Sequence, residues 1–211
     1  MNEKIIDISR NLSPDTAVWP GDTQFNLRSI MSLQQGDSVN LTTLTISAHT
    51  GTHVDAPYHF AAAGRKMDAV DLRPYWGLAQ VVTVSLPSGP LLPVHFSAYD
   101  LFRAERLLVR TPAASFPVTQ FPTSFPHPSP ELADYLSSQG VLLYGTDAPS
   151  MDDANSKTHP GHKAMLQNNI SILEGLDLSD APDGLYELCA LPLKIIGGDG
   201  SPVRAVLRTL D

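Results

Sequence analysis

The chain has a single cysteine, Cys189, so it can build neither an internal disulfide nor a thiolate metal site. Any cation it holds must be held by histidine, aspartate and glutamate. Basic residues are also in deficit: 14 Lys and Arg stand against 22 Asp and Glu, a net charge of −8, and the cations are scattered along the sequence. Nucleic-acid binding needs a basic face to neutralise phosphates, so that class is set aside. No apolar run approaches the roughly 18 residues needed to cross a bilayer. Met1 to Arg10 lacks the charged-then-apolar layout of a secretory leader, and the expectation is a cytoplasmic protein with no membrane partner.

What is present is globular. Apolar residues at 42% and charged residues at 17% leave no stretch too polar to bury, and 211 residues suit one domain, 1–211, with residues 1–20 as an N-terminal arm able to pack on a neighbour. Ile5 to Ser9 reads as a short strand, and Trp19-Pro20-Gly21-Asp22 as a turn carrying an aromatic. In Leu41 to Ala48, Leu44, Ile46 and Ala48 alternate with Thr43, Thr45 and Ser47, the pattern of a half-buried strand. Further strands are expected at Ala79 to Leu86, Arg106 to Arg110, Val141 to Tyr144, Ile170 to Leu173, Leu185 to Leu191, Leu193 to Ile196 and Val203 to Leu207. Five prolines between Pro112 and Pro128 mark a loop. Ser129 to Gly140 opens with Ser-Pro-Glu and closes with Gly, which caps a short helix bearing Leu132, Tyr135 and Leu136, and a second helix fits Gly161 to Asn169. Many strands with two or three helices give an α/β or α+β domain with a mixed sheet and no regular βαβ series.

The chemistry is concentrated in His49-Thr-Gly-Thr-His53-Val-Asp55-Ala-Pro-Tyr-His59, three imidazoles and a carboxylate in eleven residues. An extended backbone of period two points His49, His53, Asp55 and His59 to one side, opposite Leu44, Ile46 and Ala48. A helix would also pair His49 with His53, but Gly51 and the threonines disfavour it. Crowding these groups without a cation would leave buried polar atoms poorly paired. Imidazole and carboxylate suit Zn²⁺, Mn²⁺ or Fe²⁺, and the lack of thiolates points to an open, catalytic site. The isolated His95, His127 and His159 read as ordinary hydrogen-bonded residues, and Asp147, Asp152 and Asp153 as loop-capping or supporting carboxylates outside the site.

The run from His49 to Phe60 resembles the signature of the metal-dependent cyclase family. So do Trp19-Pro-Gly-Asp, Gly145-Thr-Asp-Ala-Pro-Ser, Ser156-Lys-Thr with His162, Ile172-Leu-Glu174-Gly, and Ala190-Leu-Pro-Leu-Lys with Ser201-Pro-Val-Arg, which together cover nearly the whole chain. The resemblance implies a swivelling β/β/α fold and an oligomer, commonly a homodimer. It implies two divalent ions, Zn²⁺ first and Mn²⁺ as the alternative: His49, His53 and Asp55 on one, His162 on the second, Asp55 and Glu174 bridging both. His59 would carry protons, and Trp19 would line the substrate pocket. The spacing to Glu174 selects His162 over His159, while Lys163 stands where the family often has another histidine.

The activity implied is hydrolysis of N-formyl-kynurenine to kynurenine and formate in tryptophan breakdown, with an aryl formamide as the small-molecule partner. Hydrolysis of a cyclic amide such as isatin, or of another small amide or ester, would share the chemistry and differ at Trp19 and the Gly197 to Ser201 loop. A non-catalytic metal-binding module is the rival from another class, and it has no use for a proton carrier at His59.

Overall fold

The structure is a computed structural model that describes residues 3–210. In chain order its strands are β1 (Ile5–Asp7), β2 (Asn26–Met31), β3 (Leu41–Thr45), β4 (His53–Asp55), β5 (Trp76–Thr83), β6 (Gly89–Leu91), β7 (Arg106–Arg110), β8 (Pro126–Pro128), β9 (Leu143–Thr146), β10 (Ser171–Glu174), β11 (Gly184–Cys189), β12 (Gly200–Pro202) and β13 (Val206–Thr209). The α-helices are α1 (Pro130–Ser138) and α2 (Pro160–Gln167). Among the described residues, nine strands form one sheet in the order β1-β13-β11-β5-β7-β9-β10-β4-β12. Strands β5, β7, β9 and β10 run parallel through its middle, and both flanks are antiparallel. The α+β class and mixed sheet expected from the sequence are found.

Period-two alternation splits the core into two layers. Leu107 and Val109 of β7 face one side with Val82, Tyr144 and Ile172, where Leu132 and Leu136 of α1 and Met165 of α2 cover the sheet. Leu108, between them, faces the other side with Val81, Leu143 and Leu173. Helix α1 starts where Ser129 accepts a hydrogen bond from the Leu132 amide at 3.1 Å and Pro130 supplies a first-turn residue that needs no amide partner.

Two sequence expectations fail. Residues 41–48 are not a half-buried strand: β3 ends at Thr45 and is exposed throughout, with Leu44 at 59%. Among the described residues it pairs only with β2, in a two-stranded ribbon whose side chains are nearly all exposed. Nor do Leu193 to Ile196 form a strand, because the Ile195 amide bonds Leu193 O and the Gly198 amide bonds Ile195 O, satisfying the backbone locally. Among the expected strands that are found, most ends shift by two or three residues, whereas Arg106–Arg110 is found as expected.

Leu108 has no exposed surface and lies against Gly145, so Leu108→Ala removes packing at the middle of the sheet. It is expected to cost about 2–5 kcal/mol in urea unfolding; a loss below about 1 kcal/mol would show that the surrounding core closes over the gap.

Candidate metal centre

Strands β4 and β10 pair antiparallel with Glu174 opposite His53, so both side chains leave the same face and His53 Nε2 lies 3.2 Å from Glu174 Oε2. Asp55, two residues on, shares that face, with its Oδ1 3.6 Å from His53 Nε2. Val54 between them points into the core. Helix α2 brings in His162, whose Nε2 is 3.2 Å from Glu174 Oε1 and 3.6 Å from Asp55 Oδ2. His53, Asp55, His162 and Glu174 are all buried.

The single-sided extended run expected over 49–59 holds only for His53 and Asp55, which lie on a strand. His49 arrives from a turn before β4, with Gly51 at φ +68°, and places Nδ1 3.0 Å from Asp55 Oδ1. His59 follows Pro57 in a single 3₁₀ turn and stacks on His49 with ring centroids 4.0 Å apart. A His59 ring nitrogen, a His49 ring nitrogen and an Asp55 oxygen lie within 4.8 Å of one another. His159 lies 3.9 Å from Asp152 and groups with Asp152 and His162, whereas it is His162 whose Nε2 meets Asp55 and Glu174.

Each of the three imidazoles facing the carboxylates has its other nitrogen held. His53 Nδ1 contacts Gly51 O at 3.0 Å, His162 Nδ1 contacts Asp152 Oδ2 at 2.6 Å, and His49 Nε2 contacts Asp199 Oδ2 at 3.2 Å. That is how proteins fix the tautomer of a ligating histidine. Asp152 also accepts from the Gly161 and His162 amides, capping α2. The pattern of oxygens is informative. Asp55 turns Oδ1 to His49 and His53 and Oδ2 to His162, and Glu174 turns Oε2 to His53 and Oε1 to His162. Asp55 Oδ2 is buried with no hydrogen-bond partner among the described residues. An orphaned carboxylate oxygen inside an imidazole and carboxylate set fits a divalent cation, and these residues are able to hold one.

The electrostatics agree. Burial alone would push His49 down, but Asp55 and Asp199 outweigh it and hold the ring up at about 9. Burial likewise opposes the charge on His162, yet Asp152 and Glu174 raise it to about 10. Glu174, despite burial, is pulled down to about 2 by His162 and His53. His59 moves the other way: burial lowers it, helped by the charges of His49 and His162. Without metal, the cluster is thus neutralised by protons.

The cluster lies in a cavity of about 730 Å³ walled by Trp19, Phe60, Val118 and Phe121, with Arg10 and Lys163 also lining it. Trp19 packs edge-on against Phe121, centroids 5.1 Å apart, and keeps 37% of its surface exposed. Sequence reasoning set Asp152 aside as a supporting carboxylate and marked the Gly197 to Ser201 loop only for substrate specificity, without giving Asp199 a role beside the histidines. Asp199 sits in a glycine-rich turn 150 residues beyond His49, and no local pattern signals that contact.

Fold and site together define an α+β domain whose cavity carries a histidine and carboxylate set able to hold a cation. The chain belongs to the cyclase family: the family model described as "Putative cyclase" matches residues 6–153. It is 45% identical over 205 residues to a kynurenine formamidase of Salinibacter ruber and 43% identical to one of Geobacillus thermodenitrificans, with 97% of both chains covered in each case. Among solved structures it is similar to a potential metal-dependent hydrolase with cyclase activity (TM-score 0.84, 23% identity, 100% of both chains). It is also similar to isatin hydrolase A from Labrenzia aggregata (TM-score 0.83, 22% identity, 99% of this chain and 94% of the other).

A divalent cation held by His49 and His162 would displace their protons, so the affinity for such a cation is expected to strengthen as pH rises from about 6.5 towards 9. Each displaced proton contributes about tenfold per pH unit below its folded pKa. In the metal-free protein the sign reverses. Folded pKa values above the unfolded one stabilise below about pH 6.5, and that stability is lost as pH rises through about 9 and about 10. Chelator competition across this range checks the first statement, and a pH-independent affinity contradicts it.

Proposed function

We propose that the chain hydrolyses N-formyl-kynurenine to kynurenine and formate, a step of tryptophan degradation. The observation that carries the reading is the division of the Asp55 and Glu174 oxygens between His53 and His162, beside an aromatic-walled cavity, in a chain that matches kynurenine formamidases along almost its full length.

In this reading His49, His53 and Asp55 would hold one divalent ion and His162 a second, with Asp55 and Glu174 shared between them, Zn²⁺ being preferred over Mn²⁺. Such a pair would polarise a carbonyl and make water acidic enough to attack at neutral pH. The two shared carboxylates would offset the repulsion between the cations. His59, whose neutral form is favoured by burial, takes a proton from the attacking water. It returns that proton to the aniline nitrogen as the C–N bond breaks, so formate and the free amine leave. Trp19 offers a flat apolar face to the aryl ring.

The same reading treats residues 1–211 as one domain working in the cytoplasm, where the single thiol of Cys189 stays reduced. It makes the active form a homodimer. A two-stranded ribbon is marginal alone in water, and β2 and β3 expose Leu27, Leu41 and Leu44 at 50%, 48% and 59%. A second copy would cover them.

Chelation is expected to abolish turnover of N-formyl-kynurenine and Zn²⁺ or Mn²⁺ to restore it; full activity in a preparation shown to be metal-free by elemental analysis refutes the reading. His59→Ala should keep its metal and lose at least about 10²-fold in kcat, whereas loss of metal would make His59 a ligand. Trp19→Ala should lower kcat/KM more for the aryl formamide than for formamides without a ring. A clear preference of the wild type for isatin would move the substrate and leave the metal centre standing.

A further inference from the structure

Asp199 lies outside the buried carboxylates, yet it meets two of the site imidazoles at once. Its Oδ2 is 3.2 Å from His49 Nε2 and 3.4 Å from His59 Nδ1, at the outer edge of the two stacked rings. Those rings tilt only 25° from parallel, so one oxygen hydrogen-bonds His49 Nε2 and lies in charge contact with His59 Nδ1. The opposite nitrogen of His49 faces Asp55.

The turn that carries Asp199 is fixed by its backbone. The Ala56 amide donates to Asp199 O and the Met67 amide to Gly198 O, both at 2.8 Å, and Gly200 pairs with Asp55 between β12 and β4. A Cβ at Gly200 would come within 2.7 Å of His49 Cε1, which shows how closely the turn is pressed on that ring. The Asp199 side chain itself is 46% exposed and packs into no core, so its removal leaves the turn in place.

We propose that Asp199 is a positioning residue. By accepting from His49 Nε2 and placing its charge 3.4 Å from His59 Nδ1, it aims the first ring at the cation site and holds the second flat upon it, ready to carry a proton. The torsion that turns an imidazole about its own axis is broad, and a ring without an outer partner is not held to one orientation. The inference rests on the proposed roles of His49 and His59, and half of its test is independent of substrate.

Zn²⁺ affinity by competition with a chromophoric chelator, and kcat and KM for N-formyl-kynurenine at saturating Zn²⁺, would be measured for wild type, Asp199→Ala and the near-isosteric Asp199→Asn, with thermal unfolding as the control for folding. Asp199→Ala is expected to bind Zn²⁺ about 10- to 100-fold more weakly. Its kcat should fall at least about tenfold while KM stays within about threefold, and Asp199→Asn, which keeps an acceptor without the charge, should lie between. A folded variant whose Zn²⁺ affinity is within about twofold of wild type overturns the proposal, as does a kcat within about twofold at saturating Zn²⁺. A rise in KM with unchanged kcat also overturns it, by assigning Asp199 to substrate binding. If wild type fails to turn over the formamide, the functional reading falls and the affinity measurement alone decides the role of Asp199.

Discussion

Asp55 and Glu174 place carboxylate oxygens within 4.8 Å of each other and of a His53 nitrogen, in a region almost closed to water. Like charges so close in a low-dielectric setting repel strongly and lose most of their hydration, so the arrangement persists only if positive charge is interleaved. Protons on His49 and His162 supply it in the metal-free chain, and the unpartnered Asp55 Oδ2 shows that they do so incompletely. Most of the surrounding structure reads as a means of keeping that unfavourable pair together. The pairing of β4 with β10 sets the two carboxylates on one face, and the capping of α2 by Asp152 delivers the third side of the cluster.

Close backbone approach makes this possible. Gly175, directly after Glu174, has φ +65°, and a Cβ there would lie 2.4 Å from Gly51 O, so the turn carrying His49 packs straight onto the end of β10. Thr52 ties the same junction by donating to Gly175 O at 2.7 Å. On α2, a Cβ at Gly161 would meet Met151 O at 2.1 Å, and the missing side chain lets the helix start close enough for Asp152 to reach both its amides and His162. Glycine at these positions is a condition of the site's dimensions, since any larger residue would push one ligand-bearing segment off another.

The density of imidazole and carboxylate in residues 49–59 made the centre legible from sequence, because few structural needs crowd those groups together. Its geometry was less legible. Period two describes only His53 and Asp55, and the turns at Gly51 and Pro57 decide where His49 and His59 point. His162 and Glu174 were reached through resemblance to a family; only the folded sheet shows them across from Asp55 and His53. The unbroken apolar run Leu107-Leu108-Val109 suits a strand covered on both faces, and Arg106–Arg110 is found as expected. The alternation of residues 41–48 misled, since a ribbon outside the sheet has no covered face for its leucines. Asp199 left no local trace, being brought to the histidines by the pairing of β12 with β4.

The groups able to hold a cation come from a turn, two strands and a helix, and the segments they join lie far apart along the chain: His162 meets Asp55, and His49 meets Asp199. In a chain whose one thiol cannot form an internal crosslink, an ion held by such a set would close long loops much as a disulfide does, with a coordinate bond in place of a covalent one. Loop closure of that kind depends on free metal concentration, since a ligand that binds only the native state shifts unfolding by mass action. The durability of the fold would then follow the metal supply of its surroundings, so that a cell short of the ion would lose the protein to proteolysis as well as its activity.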